Sequence, residues 1–458
     1  SHLEAGCQFC GACVDVCPTG ALADKRGKWE GVPTAMVPSV CPYCSVGCAV
    51  NVEVKDGRVI RTVGHDDGPA NDGQLCVRGR FGVVDVVHSL ARLKSPLLRR
   101  NGRLVEVSWN EALEAVTRGL SQCQGERFAA VSSAAASNEE NYMLQKFARA
   151  VMHSNNVALA TGFPEYEGAA VLLGILRTIN GRAVRDIRGA ASILVIGANV
   201  YESHPIIGLE IRHALSRGAC LITLDARQTD MTKMSDLWLQ PKMGTDHILL
   251  AGMIKALTDE GRTVLSRELA RLDLARVAFV TGVNEETLAR AARMLRERTP
   301  TTIIYGSGVT DHPTAPEVIK AIQNLAFALG DAGIVPVPGE GNSVGALDMG
   351  VHPSLLPGYR PVSGSKARAG FEAAWKTTLS PNPGRNYEGI LVGIREGRIK
   401  ALYLAGEVPP LPELANLPFL VVQDIVSTEN MRYAHAVLPA TTFAEMDGTL
   451  TNLEGRVQ

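Results

Sequence analysis

The chain has 458 residues, 46% of them apolar and 20% charged, with a formal net charge of −1. That length is too great for one hydrophobic core and predicts three or four domains, while the near-neutral charge gives no reason to expect a nucleic-acid or acidic-membrane partner. No apolar run approaches the roughly 18 residues a spanning helix needs and the start does not read as a signal peptide, so the expected location is the cytoplasm, with any membrane association supplied by partner subunits.

Eight of the ten cysteines fall within the first 76 residues. Disulfides would be scattered to staple loops; thiols clustered at short spacings read as metal ligands in a reducing compartment. The first group is CQFCGACVDVCP, with Cys7, Cys10, Cys13 and Cys17 followed by Pro18. This is the C-x2-C-x2-C-x3-C-P run that wraps a 4Fe–4S cubane, in which the fourth cysteine often serves a neighbouring cluster. Cys17 is therefore expected either to close a solitary cubane or, the preferred reading, to ligate a further cluster outside this sequence. Gly11 is expected to let the backbone approach the sulfides.

The second group begins with CPYCSVGC, where Cys41, Cys44 and Cys48 supply three ligands, and Cys76 in GQLCVRGRFG supplies the fourth. Structural zinc sites usually split two and two; three local thiols and one distant thiol suit a second 4Fe–4S cubane. Between them NVEVKDGRVIRTV alternates around a Lys-Asp-Gly turn and predicts a β-hairpin that returns the chain to Cys76. Cys123 and Cys220 read as small buried hydrophobes.

Beyond residue 93 the pattern changes to alternating strands and helices. FAAVSSAA (128–135) reads as a strand, and SNEENYMLQKFARAVM as a helix opened by a Ser137–Glu140 capping box. SILVIGAN (192–199), CLITLDA (220–226), TTIIYGSG (301–308), LYLAGE (402–407) and FLVVQD (419–424) are further apolar strands, with TAPEVIKAIQNLAFALG a helix among them. Such alternation predicts parallel, doubly wound α/β sheets. GYRPVSGSKARAG (358–370) reads as a linker.

CPYCSVGC, LCVRGRFG, VSWNEAL, SNEENYMLQKFAR, ILVIGANVYESHPIIGLEI, the GTD of PKMGTD, GALDMG and AVLPATTFAEMDGTLTNLEGRVQ together resemble the molybdopterin oxidoreductase superfamily. Within it the chain is similar to the formate dehydrogenase α subunit and to the large iron–sulfur subunit of respiratory complex I. The resemblance implies a half ferredoxin-like 4Fe–4S domain (1–36), a 4Fe–4S domain of the molybdopterin oxidoreductase type (37–93), and α/β domains of the formate dehydrogenase/DMSO reductase type. One of these is built from 94–155 with 352–458, and the other is an inserted domain, 156–351. It also implies redox partners: flavin- or NAD(P)H-handling subunits, or ferredoxin-type iron–sulfur proteins.

Formate dehydrogenases of this kind hold molybdenum or tungsten on two molybdopterin guanine dinucleotides, with a cysteine or selenocysteine ligand, a following histidine and a later arginine. Here those positions fall on Thr161, Gly162 and Pro338. No Cys or His lies between Asn155 and His204, so a local slip in the comparison does not restore them. Thr161 is a poor ligand for a thiolate-preferring metal, and the expectation is a degenerate site with no catalytic residue. Arg78 stands where active relatives carry a lysine between cluster and pterin; its other reading is a solvated surface charge. Asn199, Glu202, Asp225, Arg227, Gly244, Thr245 and Asp246 follow strands where the family's nucleotide tails lie, and form an expected vestigial pterin-dinucleotide pocket, although Asp and Asn are also ordinary cap residues. Bound molybdopterin guanine dinucleotide is not the favoured expectation, because the sequence stops at Gln458, ahead of the family's C-terminal domain. The leading reading is an electron-transfer subunit with two 4Fe–4S clusters. A catalytic molybdenum or tungsten formate dehydrogenase with atypical ligands is the alternative, and a scaffold with redox-inactive clusters a third.

Overall fold

Inside the first cysteine run the described residues make a four-residue helix, α1 (Ala12–Asp15). The computed structural model describes residues 7, 9–160, 181–258, 269, 271–330 and 332–458. After α1, β1 (Ala35–Val40), β2 (Ala49–Lys55) and β3 (Arg58–Gly64) form a three-stranded antiparallel sheet. The β2–β3 hairpin foreseen from the sequence is present. It turns on Asp56 and Gly57, at φ 50° and 77°, the two left-handed positions that a type I′ turn demands and Asp-Gly supplies.

β4 (Leu97–Arg100) and β5 (Arg103–Glu106) pair antiparallel, and helix α2 (Trp109–Ser121) follows behind a Ser108 cap. β6 (Phe128–Ser132), α3 (Asn138–Lys146) and β7 (Val157–Leu159) begin a parallel layer. The Ser137–Glu140 capping box is formed: the Glu140 amide donates to the Ser137 hydroxyl at 3.2 Å, and the Ser137 amide donates to the Glu140 carboxylate at 2.8 Å.

The chain then leaves this layer and builds a second sheet from β8 (Ser192–Ile196), β9 (Cys220–Leu224), β10 (Leu237–Leu239), β11 (Thr301–Tyr305) and β12 (Ala332–Pro336), all parallel in the order β10-β9-β8-β11-β12. Helices α4 (Pro205–Ser216), α5 (Asp246–Thr258) and α6 (Ala315–Leu329) belong to this unit. Every residue of β8, β9, β11 and β12 is buried, as expected of parallel strands covered on both faces.

After α7 (Ser343–Asp348) and a two-residue ladder, β13 (Leu355–Leu356) with β14 (Arg360–Pro361), helix α8 (Ser365–Trp375) occupies half of the segment read as a linker. Lys366, Ala367, Arg368 and Ala369 are good helix formers, and the flanking Gly, Ser and Pro residues obscured them. β15 (Ala401–Ala405), β16 (Phe419–Asp424) and β17 (Ala436–Pro439) then rejoin the first layer, giving the order β5-β4-β17-β16-β15-β6-β7.

The doubly wound parallel sheets expected from the sequence are thus observed. Strand order reverses between β6 and β15 in one sheet and between β8 and β11 in the other, and ligands of open α/β sheets bind at the carboxyl ends of strands near such reversals. Cys123 and Cys220 are buried, 7% and 2% exposed, in the hydrophobic interior. Among the described residues no helix is long and apolar enough to cross a membrane.

Candidate functional site

The eight residues of CPYCSVGC are the loop of the β1–β2 hairpin. Val40 and Ala49 are paired in register at its base, and the Cys41 amide donates to the Cys48 carbonyl at 2.9 Å. Cys76 arrives ahead of a widened π-helical turn, Arg78–Gly82. A side chain at Gly79 would begin 3.3 Å from the Cys41 sulfur, so the glycine lets this turn lie against the thiols. All four sulfurs are buried. Desolvation, helped by the neighbouring thiols, pushes Cys41 and Cys48 well above the ordinary thiol range, and desolvation pushes Cys44 up to about 11.

Burial thus favours the protonated thiol at Cys41, Cys44 and Cys48, and ligation here requires a positively charged centre that displaces those protons. Four buried thiols, three in one loop and the fourth beside the turn that packs on it, are the donor set of an iron–sulfide cubane.

Backbone carbonyls of the loop are held by the distant segment TNLEGRVQ. The Leu453 amide donates to Ser45 at 2.8 Å, Asn452 Nδ2 to Val46 at 3.1 Å, and Gln458 Nε2 to Gly47 at 3.0 Å. Gly47 has φ 62°, and a side chain there would begin 2.6 Å from Asn452 Cβ. This segment, with Thr449 just ahead of it, reaches α3, where Glu139 accepts from the Thr449 amide at 2.9 Å and Asn138 Nδ2 donates to the Thr451 hydroxyl at 3.0 Å. One strap therefore fastens the cysteine loop to the first parallel layer.

The first cysteine run is more open: Cys7 and Cys13 are exposed, Cys10 and Cys17 partly so. The Leu22 amide donates to the Cys17 sulfur at 3.4 Å, and this bond, with others from the Thr19 side chain and backbone, draws the thiol down to about 7. Gly11 has φ 76°, and a side chain there would begin 2.5 Å from Arg80 Cδ. Its smallness therefore serves the packing of Arg80, a requirement the sequence reading did not include.

Of the three positions onto which the resemblance carries the family's catalytic residues, Thr161 and Gly162 lie outside the described residues. Pro338 is well placed to show what stands there. Its carbonyl accepts from Ser45 Oγ at 2.5 Å and from His204 Nε2 at 2.9 Å, and the three groups are buried together, Ser45 0% and His204 1% exposed. Desolvation, assisted by the Arg78 charge, holds His204 down at about 4, so the imidazole is neutral with its proton on Nε2. Arg78 is not merely solvated: its guanidinium donates to the Ser203 carbonyl, and its charge lowers the Cys41 and Cys44 thiols against the effect of burial. Arg78 thus stands between the cysteine loop and the segment that follows β8.

At the carboxyl ends of β8 and β9 the structure gathers most of the expected pocket residues. Asn199 donates to Glu202 at 3.1 Å, and Asp225 accepts from the Arg227 amide at 2.8 Å, leaving the Arg227 side chain largely in solvent. Asp246 opens α5. Burial raises its carboxyl, with Asp225 adding to the rise and His312 and His247 opposing it, so the two carboxylates and two imidazoles are electrostatic neighbours. Gly244 (φ 80°) lies against His312, and the Thr245 hydroxyl is spent on the Lys242 carbonyl at 2.6 Å. Among the described residues, buried Asn199 Oδ1 and Asp225 Oδ2 have no hydrogen-bond partner, which is costly unless a ligand donates to them. Two orphaned acceptors at adjacent strand ends fit the hydroxyl and amine donors of a nucleotide.

Sequence reading missed a second strand-end site. A cavity of about 890 Å³ opens at the carboxyl ends of β6, β15, β16 and β17, and its lining includes Ser132, Glu140, Glu407 and Asp424 among many apolar side chains. It lies at the β6/β15 reversal. Burial lifts Asp424 to about 6. The signal was available in the sequence as polar residues after LYLAGE and FLVVQD, the pattern already used for the other sheet.

Comparison with known proteins agrees with this architecture. The 4Fe-4S binding domain profile matches residues 4–23, the molybdopterin oxidoreductase Fe4S4 domain 34–88, and the molybdopterin oxidoreductase profile 92–458. The chain is 34% identical over 96% of its length to a candidate formate dehydrogenase of Bacillus subtilis, and 35% identical over 92% to the F420-dependent formate dehydrogenase subunit alpha of Methanocaldococcus jannaschii. It spans 48% and 66% of those relatives. Acetylene hydratase from Pelobacter acetylenicus shares the fold, with a TM-score of 0.67 over 91% of this chain and 64% of that one at 19% identity. With a profile match across most of its length and the family's Fe4S4 domain ahead of it, the chain belongs to the molybdopterin oxidoreductase family and is similar to formate dehydrogenase α subunits.

Proposed function

We propose that the chain is an electron-transfer unit of a multi-subunit, formate dehydrogenase-like complex, carrying two 4Fe–4S clusters and no active molybdenum site of its own. Cys41, Cys44, Cys48 and Cys76 hold one cubane; Cys7, Cys10 and Cys13 hold the other, with Cys17 its fourth ligand or a link to a further cluster. Cytoplasmic flavin- or NAD(P)H-handling subunits, or ferredoxin-type iron–sulfur proteins, supply or accept the electrons. The observation that carries this reading is the buried four-thiol cage beside a second, exposed thiol group. Where a substrate-facing arginine is needed, the chain instead presents the Pro338 carbonyl, already bonded to Ser45 and His204, which neither stabilises an oxyanion nor moves a proton. The test is to give formate and a viologen dye to the anaerobically purified protein. We expect dithionite to reduce the clusters and formate to leave the dye oxidised; formate-dependent dye reduction refutes the proposal.

A second reading is favoured by the orphaned acceptors Asn199 Oδ1 and Asp225 Oδ2 and by the cavity on the other sheet. In it the chain retains a bis-molybdopterin guanine dinucleotide on those two sites and interconverts formate and carbon dioxide with unorthodox ligands. When bound, such a cofactor supplies two-electron chemistry at molybdenum or tungsten. Extracting the denatured protein for pterin separates retention of the cofactor from turnover.

A further inference from the structure

We propose that Arg80 is the positioning residue between the two clusters, fixing their approach and placing one positive charge between them. The inference rests on the reading that both cysteine groups hold cubanes. Arg80 is 5% exposed. Its amide donates to the carbonyl of Cys76, a ligand of the second group, at 3.0 Å, while its Nε donates to the carbonyl of Cys10, a ligand of the first, at 2.7 Å. Its Nη1 pairs with Asp15, which lies between Cys13 and Cys17. One residue thus touches both ligand sets, across 70 residues of sequence. The π-helical turn Arg78–Gly82 aims the side chain, and Gly11 leaves room for it, since a side chain at 11 would meet Arg80 Cδ at 2.5 Å and Phe81 at 2.9 Å.

The consequence is electrostatic as well as geometric. A guanidinium stays charged, and a buried charge acts over several ångströms with little screening. Reduction adds negative charge to a cluster, so a cation between two clusters favours the reduced form of each. Asp15 offsets part of that charge. The two partners therefore carry opposite expectations, which a merely structural role for the pair does not produce.

The test is a potentiometric titration of the full chain, loaded with iron and sulfide, followed by low-temperature electron spin resonance. In Arg80→Met both cluster potentials are expected to fall and the magnetic coupling between reduced clusters to weaken, while Arg80→Lys keeps potentials near those of the parent. In Asp15→Asn both potentials are expected to rise. Unchanged potentials in Arg80→Met at full iron content, a shift confined to one cluster, or shifts of the same sign in Arg80→Met and Asp15→Asn overturn the inference. If the parent protein holds no inorganic sulfide, the cluster assignment itself fails, and that outcome is read before any variant is compared.

Discussion

Replacing Asn452 by alanine tests how the cysteine loop is held. Asn452 is 1% exposed; its Nδ2 donates to the Val46 carbonyl at 3.1 Å, and its Oδ1 accepts from the amides of Glu454 at 3.1 Å and Arg456 at 3.0 Å. Truncation severs three hydrogen bonds and leaves one carbonyl and two amides without partners. At about 1 kcal/mol for each the loop loses roughly 3 kcal/mol, which raises its opening equilibrium about 100-fold. A chain of several domains does not unfold in one step, so the readout is local: bleaching of the visible iron–sulfide absorbance by excess chelator. Where opening and closing are fast, release of the Cys41–Cys76 cluster should accelerate about 100-fold. Gln458→Ala removes a single strap bond, from Nε2 to the Gly47 carbonyl, so about a fivefold acceleration is expected. If Asn452→Ala releases iron no faster than Gln458→Ala, the strap does not hold the loop and the reasoning fails.

Arg149 is buried against acceptors at Gln145, Asn155, Gly350, His352 and Leu355, at 2.6–3.1 Å, with burial drawing its guanidinium down to about 9. Arg149→Met, which strands those acceptors, should destabilise this layer by roughly 3–5 kcal/mol, measured as earlier protease cleavage within 350–356; cleavage like the parent's contradicts it. His204 and His352 are each held at about 4 by burial, against an ordinary 6.5. A fold that buries neutral imidazole has its full stability above about pH 6.5 and loses it as pH falls toward 4, by roughly 3 kcal/mol per histidine. His204→Gln should flatten the acid limb of a thermal-melt series, and an unchanged limb counts against the burial argument. Gly47→Ala, forced into φ 62° with its Cβ 2.6 Å from Asn452 Cβ, should prevent full loading of the second cluster, measured as iron bound per chain; normal loading shows that the loop can shift to make room.

The grouping of the thiols was legible in the sequence because three of each set are close neighbours in the chain, and the structure buries Cys41, Cys44, Cys48 and Cys76. The β2–β3 hairpin and the α3 capping box were legible for the same reason: Asp56-Gly57 and Ser137–Glu140 are local chemistry. What the sequence concealed is long-range. Asn452 and Val46 are 406 residues apart and Arg80 and Cys10 are 70 apart, and no periodicity announces either contact. The same holds for Pro338, whose identity suggested a lost side chain while its carbonyl turns out to anchor Ser45 and His204. β12 escaped notice because AGIVP mixes Gly and Pro with apolar residues, and α8 because Gly and Ser flank its helix formers. The cavity beside Asp424 became visible only when β6, distant in sequence, was placed beside β15.

The most direct test of the account is quantitative metal and sulfide analysis of the anaerobically purified chain. Two cubanes require about eight irons and about eight acid-labile sulfides per chain, with molybdenum and tungsten far below one atom. One equivalent of either heavy metal contradicts the inactive-site half of the account, and zinc without sulfide contradicts the electron-transfer half.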